Sequence, residues 1–83
     1  MVARGRVQGV FFRDSVRQRA ESLGVAGWAH NRGDGAVEAE FEGDPEAVDS
    51  MVQYCQSGPG RAEVDSLEVS DVEPEGATGF QIR

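Results

Sequence analysis

The chain has 83 residues, which is too few for two domains, so we expect one domain that spans residues 1–83. Its net charge is −7 and it contains no lysine, which argues against nucleic acid as a partner and excludes Schiff-base chemistry. No apolar run is long enough to cross a bilayer, and the N-terminus carries no signal-peptide pattern. We therefore expect a cytoplasmic protein without a membrane partner.

The positive charge is concentrated at one end of the chain. The first 20 residues contain five arginines and one aspartate, whereas the other 63 residues contain three arginines and fourteen acidic residues. The basic segment is large enough for one small anion and too small for a polyanion.

The first half of the chain predicts a strand, a glycine loop, a helix and a hairpin. Residues 1–3 are weakly strand-like, and a loop opens at Gly5. A helical stripe follows, and Gly24 is expected to end that helix. Residues 25–31 and 36–42 predict two strands joined by the turn at residues 32–35, which is rich in glycine and aspartate. The residues of the helical stripe are Phe12, Val16, Ala20 and Leu23.

The second half predicts another helix and two more strands. Asp44 and Pro45 are typical of a helix start. Residues 64–72 predict an irregular strand with a bulge, and residues 80–82 a short final strand. The stripe of the second helix is Val48, Met51, Val52 and Cys55. Because free cysteine is usually buried, we expect Cys55 to be a structural thiol.

The order of elements indicates the fold. Strand, helix, strand, strand, helix, strand, with a short fifth strand, predicts a ferredoxin-like α+β sandwich. In this βαββαβ arrangement, two helices cover one face of an antiparallel sheet.

The loop at residues 5–13 is the strongest candidate for a binding site. A glycine loop that opens onto a helix start offers unpaired N–H groups and partial positive charge to an anion. A cation in the first turn opposes the helix dipole, so Arg13 favours a bound phosphate over helix stability. The lone His30 and Cys55 cannot build a zinc site, and we expect no metal and no cofactor. The three outward glutamates of residues 36–42 are more typical of a solvated strand face than of a metal site.

Two stretches resemble the signatures of the acylphosphatase family. The first is Gly5-Arg6-Val7-Gln8-Gly9-Val10-Phe11-Phe12-Arg13; the second covers residues 27–37, with Gly43 beyond it. The resemblance implies a ferredoxin-like fold and the hydrolysis of acyl phosphates, which are carboxyl–phosphate mixed anhydrides, to a carboxylate and inorganic phosphate. It also implies that no metal or covalent intermediate is required.

The resemblance also implies roles for individual residues. Arg13 matches the family arginine that binds phosphate, and Asn31 matches the asparagine that orients the attacking water. Backbone N–H groups would form the phosphate cradle, at Val7, Gln8, Gly9, Val10, Phe11 and Phe12. His30 falls at a variable position and is read as structural or exposed.

These assignments predict the partners and leave alternatives open. We expect a small acyl phosphate as substrate, inorganic phosphate or sulfate as a competing anion, and a monomer. Arg4 and Arg6 either steer anions or are simply solvated. A regulatory module that binds acyl phosphate or carbamoyl phosphate without turnover is the alternative, because one fold serves many functions. An RNA-binding sheet is disfavoured by the acidic charge.

Overall fold

The computed structural model of the protein describes residues 1–9 and 11–83. Val10, which the sequence places in the phosphate cradle, lies outside the described residues. Seven elements follow one another along the chain: β1 (Val2–Arg6), α1 (Phe12–Leu23), β2 (Ala26–Asn31), β3 (Val37–Glu42), α2 (Pro45–Gln56), β4 (Glu63–Glu68) and β5 (Phe80–Ile82). No helix in the described part of the chain is long and apolar enough to cross a membrane.

The strands form one sheet in the order β4-β1-β3-β2-β5. β1 pairs antiparallel with β3 and with β4, and β2 pairs antiparallel with β3. The short β5 is the exception, because it lies parallel to β2 at the sheet edge. The ferredoxin-like prediction is therefore confirmed, with a fifth strand that makes the sheet mixed.

Both helices pack their apolar stripes against the same face of the sheet. In α2, Met51 and Cys55 are buried, whereas Val48 and Val52 are half-buried. The contributions of the helices and those of the strands form one core cluster: Ala3, Val7, Phe12, Val16, Ala20, Val25, Ala29, Val37, Ala39, Met51, Cys55 and Phe80. The predicted stripe of α1 is confirmed at three of its four positions. Leu23 is 37% exposed, because it lies in the last helical turn, before the left-handed Gly24 that ends the helix.

The first strand is longer than the sequence predicts. Gly5 and Arg6 do not open the loop; they continue β1 and pair with Val64 and Glu63 of β4. Arg4 pairs with Ser66 and Gly5 with Val64, so β4 has one extra residue between these partners. This is the bulge that the sequence predicts for residues 64–72. A Cβ atom at Gly5 would lie 2.3 Å from the carbonyl oxygen of Glu63, so glycine allows this close approach. The loop therefore begins at Val7.

The fourth strand is shorter than predicted. β4 ends at Glu68, and Val69 and Val72 are exposed beyond it. The chain then returns to β5 through a loop that Glu42 holds in place. The Glu42 carboxylate accepts the backbone N–H groups of Gly76, at 2.9 Å, and Ala77, at 2.8 Å. Glu42 is therefore a structural residue and not simply part of a solvated face.

The second helix starts where the sequence predicts it. Asp44 is the N-cap residue of α2 and Pro45 is the first helical residue, but the Asp44 side chain makes no capping hydrogen bond. Proline at the first helical position has no N–H, so one of the N–H groups that lack a partner at a helix start is absent.

Candidate active site

The loop between β1 and α1 exposes its backbone. Val7 is buried and fixes the start of the loop in the core. Gly9 has φ 71°, and no heavy atom lies within 4 Å of the position that a Cβ atom would take there. A left-handed glycine with open space beside it lets a ligand approach the main chain closely.

Within the described residues, no side chain caps the N-terminus of α1. Phe11 is the N-cap residue and makes no side-chain capping bond. Asp14, the acidic residue of the first turn, is exposed; its Oδ1 accepts from Arg17 at 2.6 Å and its Oδ2 accepts from Gln18 at 3.0 Å. Because the first N–H groups of a helix have no intrahelical partner, this end of α1 remains suited to an anion.

Arg13 lies in the first turn of α1, where the sequence predicts it. It is half-buried and lines a cavity of about 260 Å³ together with Val7, Gly9, Phe11, Phe12 and Asp14. The carboxylate of Asp14 is hydrogen-bonded to Arg17 and Gln18. Among residues 1–9 and 11–83, Arg13 makes no ion pair, whereas Arg17, one turn further along, binds Asp14. The guanidinium of Arg13 is thus not neutralised by a described carboxylate, and it lies beside the helix N-terminus.

Asn31 is the last residue of β2 and is exposed. It pairs with Val37 of β3 and is not among the described residues that line the Arg13 cavity. The loop and this strand end are nevertheless joined by the side chain of Gln8. Its Nε2 donates to the carbonyl oxygen of Arg32, at 2.8 Å, and to that of Ala36, at 3.0 Å.

The turn that follows Asn31 is held by charge and by backbone hydrogen bonds. The Arg32 N–H donates to the carbonyl oxygen of Ala36 at 2.8 Å, and Oδ1 of Asp34 accepts the Ala36 N–H at 3.2 Å. Arg4 and Arg32 contact Oδ2 of Asp34 at 3.2 and 3.1 Å. The N–H of Ala36 lowers the pKa of Asp34 most strongly, and the two arginines lower it further. Asp34 thus stays ionised and stabilises the turn.

The basic residues of β1 have different surroundings. Arg4 is paired with Asp34 and lies 3.9 Å from Glu68, so its charge is shared with the hairpin and β4. Arg6 is exposed and forms no ion pair within the described residues. Arg4 and Arg6 are the two arginines for which the sequence leaves anion steering open. Carboxylates offset the charge of Arg4, so Arg6 is better suited to that role.

His30 is half-buried and has a structural role, which is one of the two alternatives that the sequence leaves open. Its Nε2 lies 2.9 Å from Oε1 of Glu38, and its ring meets that of Trp28 edge-on, with 5.2 Å between centroids. The hydrogen bond from His30 lowers the pKa of Glu38. His30 and Glu38 are cross-strand partners in β2 and β3, so this pair strengthens the hairpin.

A second cavity does not suit an anion. It lies between the hairpin of β2 and β3 and the loop that follows β4, where Trp28 and Phe41 line it. Four carboxylates also line it, from Glu40, Glu42, Glu73 and Glu75. Because like charges repel, a phosphate would be disfavoured there and favoured beside Arg13.

Sequence reasoning missed two features of the first site. It placed Gln8 in the cradle only as a source of a backbone N–H, although its side chain reaches the hairpin. It also gave no sign that Phe11 adopts a left-handed conformation, with φ 63° and ψ 17°. A polar glutamine in a glycine loop is a weak hint of the first feature, and no local pattern indicates the second.

Comparisons with known proteins point to one family. The acylphosphatase family model matches residues 1–82. The chain is 58% identical to the acylphosphatase of Rubrobacter xylanophilus over 81 residues, which cover 95% of this chain and 73% of that protein. It is 49% identical to the acylphosphatase of Haloarcula marismortui, covering 95% of this chain and 87% of the relative.

Solved structures agree with the sequence comparisons. The crystal structure of the acylphosphatase from Bacillus subtilis superposes with a TM-score of 0.93 at 37% identity, over 99% of this chain and 92% of that one. Full-length HypF in its phosphate- and nucleotide-bound form superposes with a TM-score of 0.89 at 26% identity, over 99% of this chain and 11% of that one. The chain is thus an α+β protein of the ferredoxin-like fold.

It belongs to the acylphosphatase family, whose function is the hydrolysis of acyl phosphates and whose members are hydrolases acting on acid anhydrides.

Proposed function

We propose that this protein hydrolyses acyl phosphates at the start of α1, with Arg13 binding the phosphoryl group and Asn31 orienting the attacking water. One observation carries the proposal most directly. Among residues 1–9 and 11–83, no side chain caps the N-terminus of α1, and the half-buried Arg13 beside it has no carboxylate partner. The free N–H groups of the helix start and the guanidinium of Arg13 can both bind a doubly charged anion.

The phosphoryl group is bound by main chain and guanidinium together. The N–H groups of the loop and of the first helical turn donate to its oxygens, at Val7, Gln8, Gly9, Phe11 and Phe12. The planar fork of Arg13 holds two oxygens at once, which a lysine could not do. Val10, the remaining cradle residue, lies outside the described residues and is proposed from its place in the loop alone.

The reaction needs positioning more than acid catalysis. The water oxygen attacks phosphorus in line with the bond to the leaving oxygen; that P–O bond breaks, and the bonding pair leaves with the carboxylate. Since a carboxylate is a weak base, it leaves without a proton donor, and both protons of the water stay with the products as a carboxylate and dihydrogen phosphate. The N–H groups of the cradle and the guanidinium of Arg13 stabilise the negative charge on the phosphoryl oxygens.

Asn31 suits the water-orienting role because its amide both accepts and donates hydrogen bonds and stays neutral at every working pH. Its position supports this role. Asn31 ends β2 immediately before Arg32, whose carbonyl oxygen is bound by the cradle residue Gln8. The strand end and the loop are therefore fixed relative to each other.

The proposal includes several finer statements. Residues 1–83 act as a single monomeric domain, and inorganic phosphate or sulfate competes for the cradle because each presents the same oxygens as the substrate. The net charge of −7 disfavours nucleic acid as a partner. A cytoplasmic location stays a prediction from the sequence.

The test is an assay with benzoyl phosphate in the presence of a metal chelator. The wild-type protein should turn over the substrate, and Asn31→Ala should lose at least about a hundredfold in kcat while phosphate still inhibits it. Gln53→Ala, an exposed change on α2, is the control and should match the wild type. Loss of phosphate inhibition in Asn31→Ala would contradict the assigned role, and absence of wild-type turnover would contradict the function.

A binding module without turnover is the second candidate. The structural similarity to HypF favours this candidate. The similar region is 11% of a much longer protein, whose structure was solved in its phosphate- and nucleotide-bound form. In a binding module, phosphate would protect the protein against unfolding while benzoyl phosphate stayed intact. The same assay therefore separates the two candidates.

A further inference from the structure

Phe11 is in an unfavourable position for a phenylalanine. It precedes α1 as the N-cap residue, with φ 63° and ψ 17°, and its side chain is 69% exposed. It is also the one residue other than glycine with positive φ among those described. A bulky side chain in the left-handed region is a genuine outlier, because its Cβ atom crowds the following carbonyl group.

Packing does not explain this residue. A ring that is mostly in water recovers little of the free energy that burial gives, whereas its neighbour Phe12 is buried in the core. Glycine would make the same bend without the steric cost, as Gly9 does two residues earlier. A strained and exposed aromatic residue is therefore better explained by a contact with a ligand.

The ring lies beside the proposed phosphate site. Phe11 lines the same cavity as Gly9 and Arg13. The cavity volume of about 260 Å³ equals several water molecules, at roughly 30 Å³ each, and exceeds what one tetrahedral oxyanion fills. One cavity thus combines groups that attract an anion with an apolar surface that an inorganic phosphate cannot use.

An acyl phosphate has both parts. Its phosphoryl end suits the helix start and Arg13, and a bridging oxygen joins this end to an acyl group that the rest of the cavity could hold. We propose that the Phe11 ring binds the acyl group, so that the protein prefers aromatic or extended apolar acyl phosphates to acetyl phosphate. This inference rests on the proposed function, because it assigns the part of the substrate that the cradle does not contact.

The preference should depend on the ring and not on the bend. Phe11→Gly removes the ring and fits the left-handed backbone, whereas Phe11→Tyr keeps an aromatic face. The measurement is kcat/KM for benzoyl phosphate and for acetyl phosphate in both variants and the wild type. Comparing the ratio of the two values between proteins cancels the different intrinsic reactivities of the two substrates.

We expect the benzoyl-to-acetyl ratio to fall about tenfold in Phe11→Gly and to stay within about twofold in Phe11→Tyr. Inhibition by inorganic phosphate should change much less than the ratio, because phosphate has no acyl group. An unchanged ratio in Phe11→Gly, with both substrates turned over, would overturn the role of Phe11 and leave the proposed function intact. Failure of the wild type to hydrolyse either substrate would instead overturn the proposed function.

Discussion

The side chain of Gln8 is hydrogen-bonded to the backbone of Arg32 across 24 positions of sequence. Its Nε2 lies 2.8 Å from the Arg32 carbonyl oxygen, and the same nitrogen lies 3.0 Å from that of Ala36. These two carbonyl groups flank the turn that begins one residue after Asn31. One glutamine thus fixes the loop between β1 and α1 relative to the strand that holds Asn31.

Gln8→Met tests whether this link positions the reacting groups. Methionine is similar in length but donates no hydrogen bond, so both contacts to the turn are lost. We expect kcat for benzoyl phosphate to fall about tenfold, since small misplacements of catalytic groups are costly. Inhibition by phosphate should change less than about threefold, because the cradle N–H groups and Arg13 remain. Steady-state kinetics with phosphate as inhibitor measure both quantities.

The stability of the same variant separates positioning from folding. Losing partly buried hydrogen bonds should lower the free energy of unfolding by about 1–2 kcal/mol, measured by urea denaturation. Gln53→Met, on the exposed face of α2, is the matched control and should change neither activity nor stability by much. A Gln8→Met protein that is less stable but fully active when folded would show that the link is only structural.

Arg13→Lys tests the phosphate contact. The variant keeps the charge but replaces the planar fork by a single ammonium group, so two-oxygen binding is lost. We expect kcat/KM to fall by about a hundredfold and the inhibition constant of phosphate to rise by about tenfold or more. The measurement is the same inhibition assay, with the exposed Arg61→Lys as control. Near-normal phosphate inhibition in Arg13→Lys would remove Arg13 from the site.

Local sequence patterns were sufficient for most of the fold. The alternation in β3 buries Val37 and Ala39, and the four-residue spacing in α1 buries Phe12, Val16 and Ala20. These patterns determine which face of a helix or strand meets the core, so the buried residues can be predicted from them. The end of α1 at Gly24 was predictable for a similar reason, because few residues other than glycine adopt the left-handed cap.

The errors lie where partners distant in sequence decide the structure. Gly5 was expected to open the loop, but pairing with Val64 of β4 extends β1 through it. The Gln8 contact with Arg32 joins residues that no periodicity relates. The left-handed backbone of Phe11 opposes the preference of its residue type, so a sequence pattern cannot give it. Arg13 lies in the first turn of α1 and Asn31 ends β2, as predicted, but Asn31 is not among the described residues that line the Arg13 cavity. The roles of both residues remain proposals.

Gly27→Ala should destabilise the strand that carries Asn31. Gly27 has φ 142°, and a Cβ atom there would lie 1.9 Å from the carbonyl oxygen of Glu40 in β3. Either the backbone shifts or the pairing of β2 with β3 breaks, and we expect a loss of about 3 kcal/mol or more. For a domain of this size, that corresponds to a fall in Tm of roughly 12 °C or more, measured by thermal unfolding.

Gly33→Ala is the control for Gly27→Ala. No heavy atom lies within 4 Å of the Cβ position at Gly33, and its φ lies outside the left-handed region. Its free energy of unfolding should therefore change by no more than about 0.5 kcal/mol. Equal stability of the two variants would mean that the close approach of β2 to Glu40 is not what requires glycine at position 27.

Cys55 should make stability depend on pH in the alkaline range. Its thiol is 0% exposed, and burial raises its pKa from 9.0 to about 12. Because the folded state holds this proton more tightly, the thiol's contribution to the free energy of unfolding is complete below pH 9. It is lost as the pH rises from 9 towards 12, by at most about 1.4 kcal/mol per pH unit.

Urea denaturation of the wild type and Cys55→Ala between pH 8 and 10 isolates this contribution, because other titrating groups are common to both. The wild type should lose more stability than Cys55→Ala over that range, and its folded thiol should resist alkylation by iodoacetamide at pH 8. Parallel pH profiles, or rapid alkylation of the folded protein, would show that Cys55 is accessible to solvent.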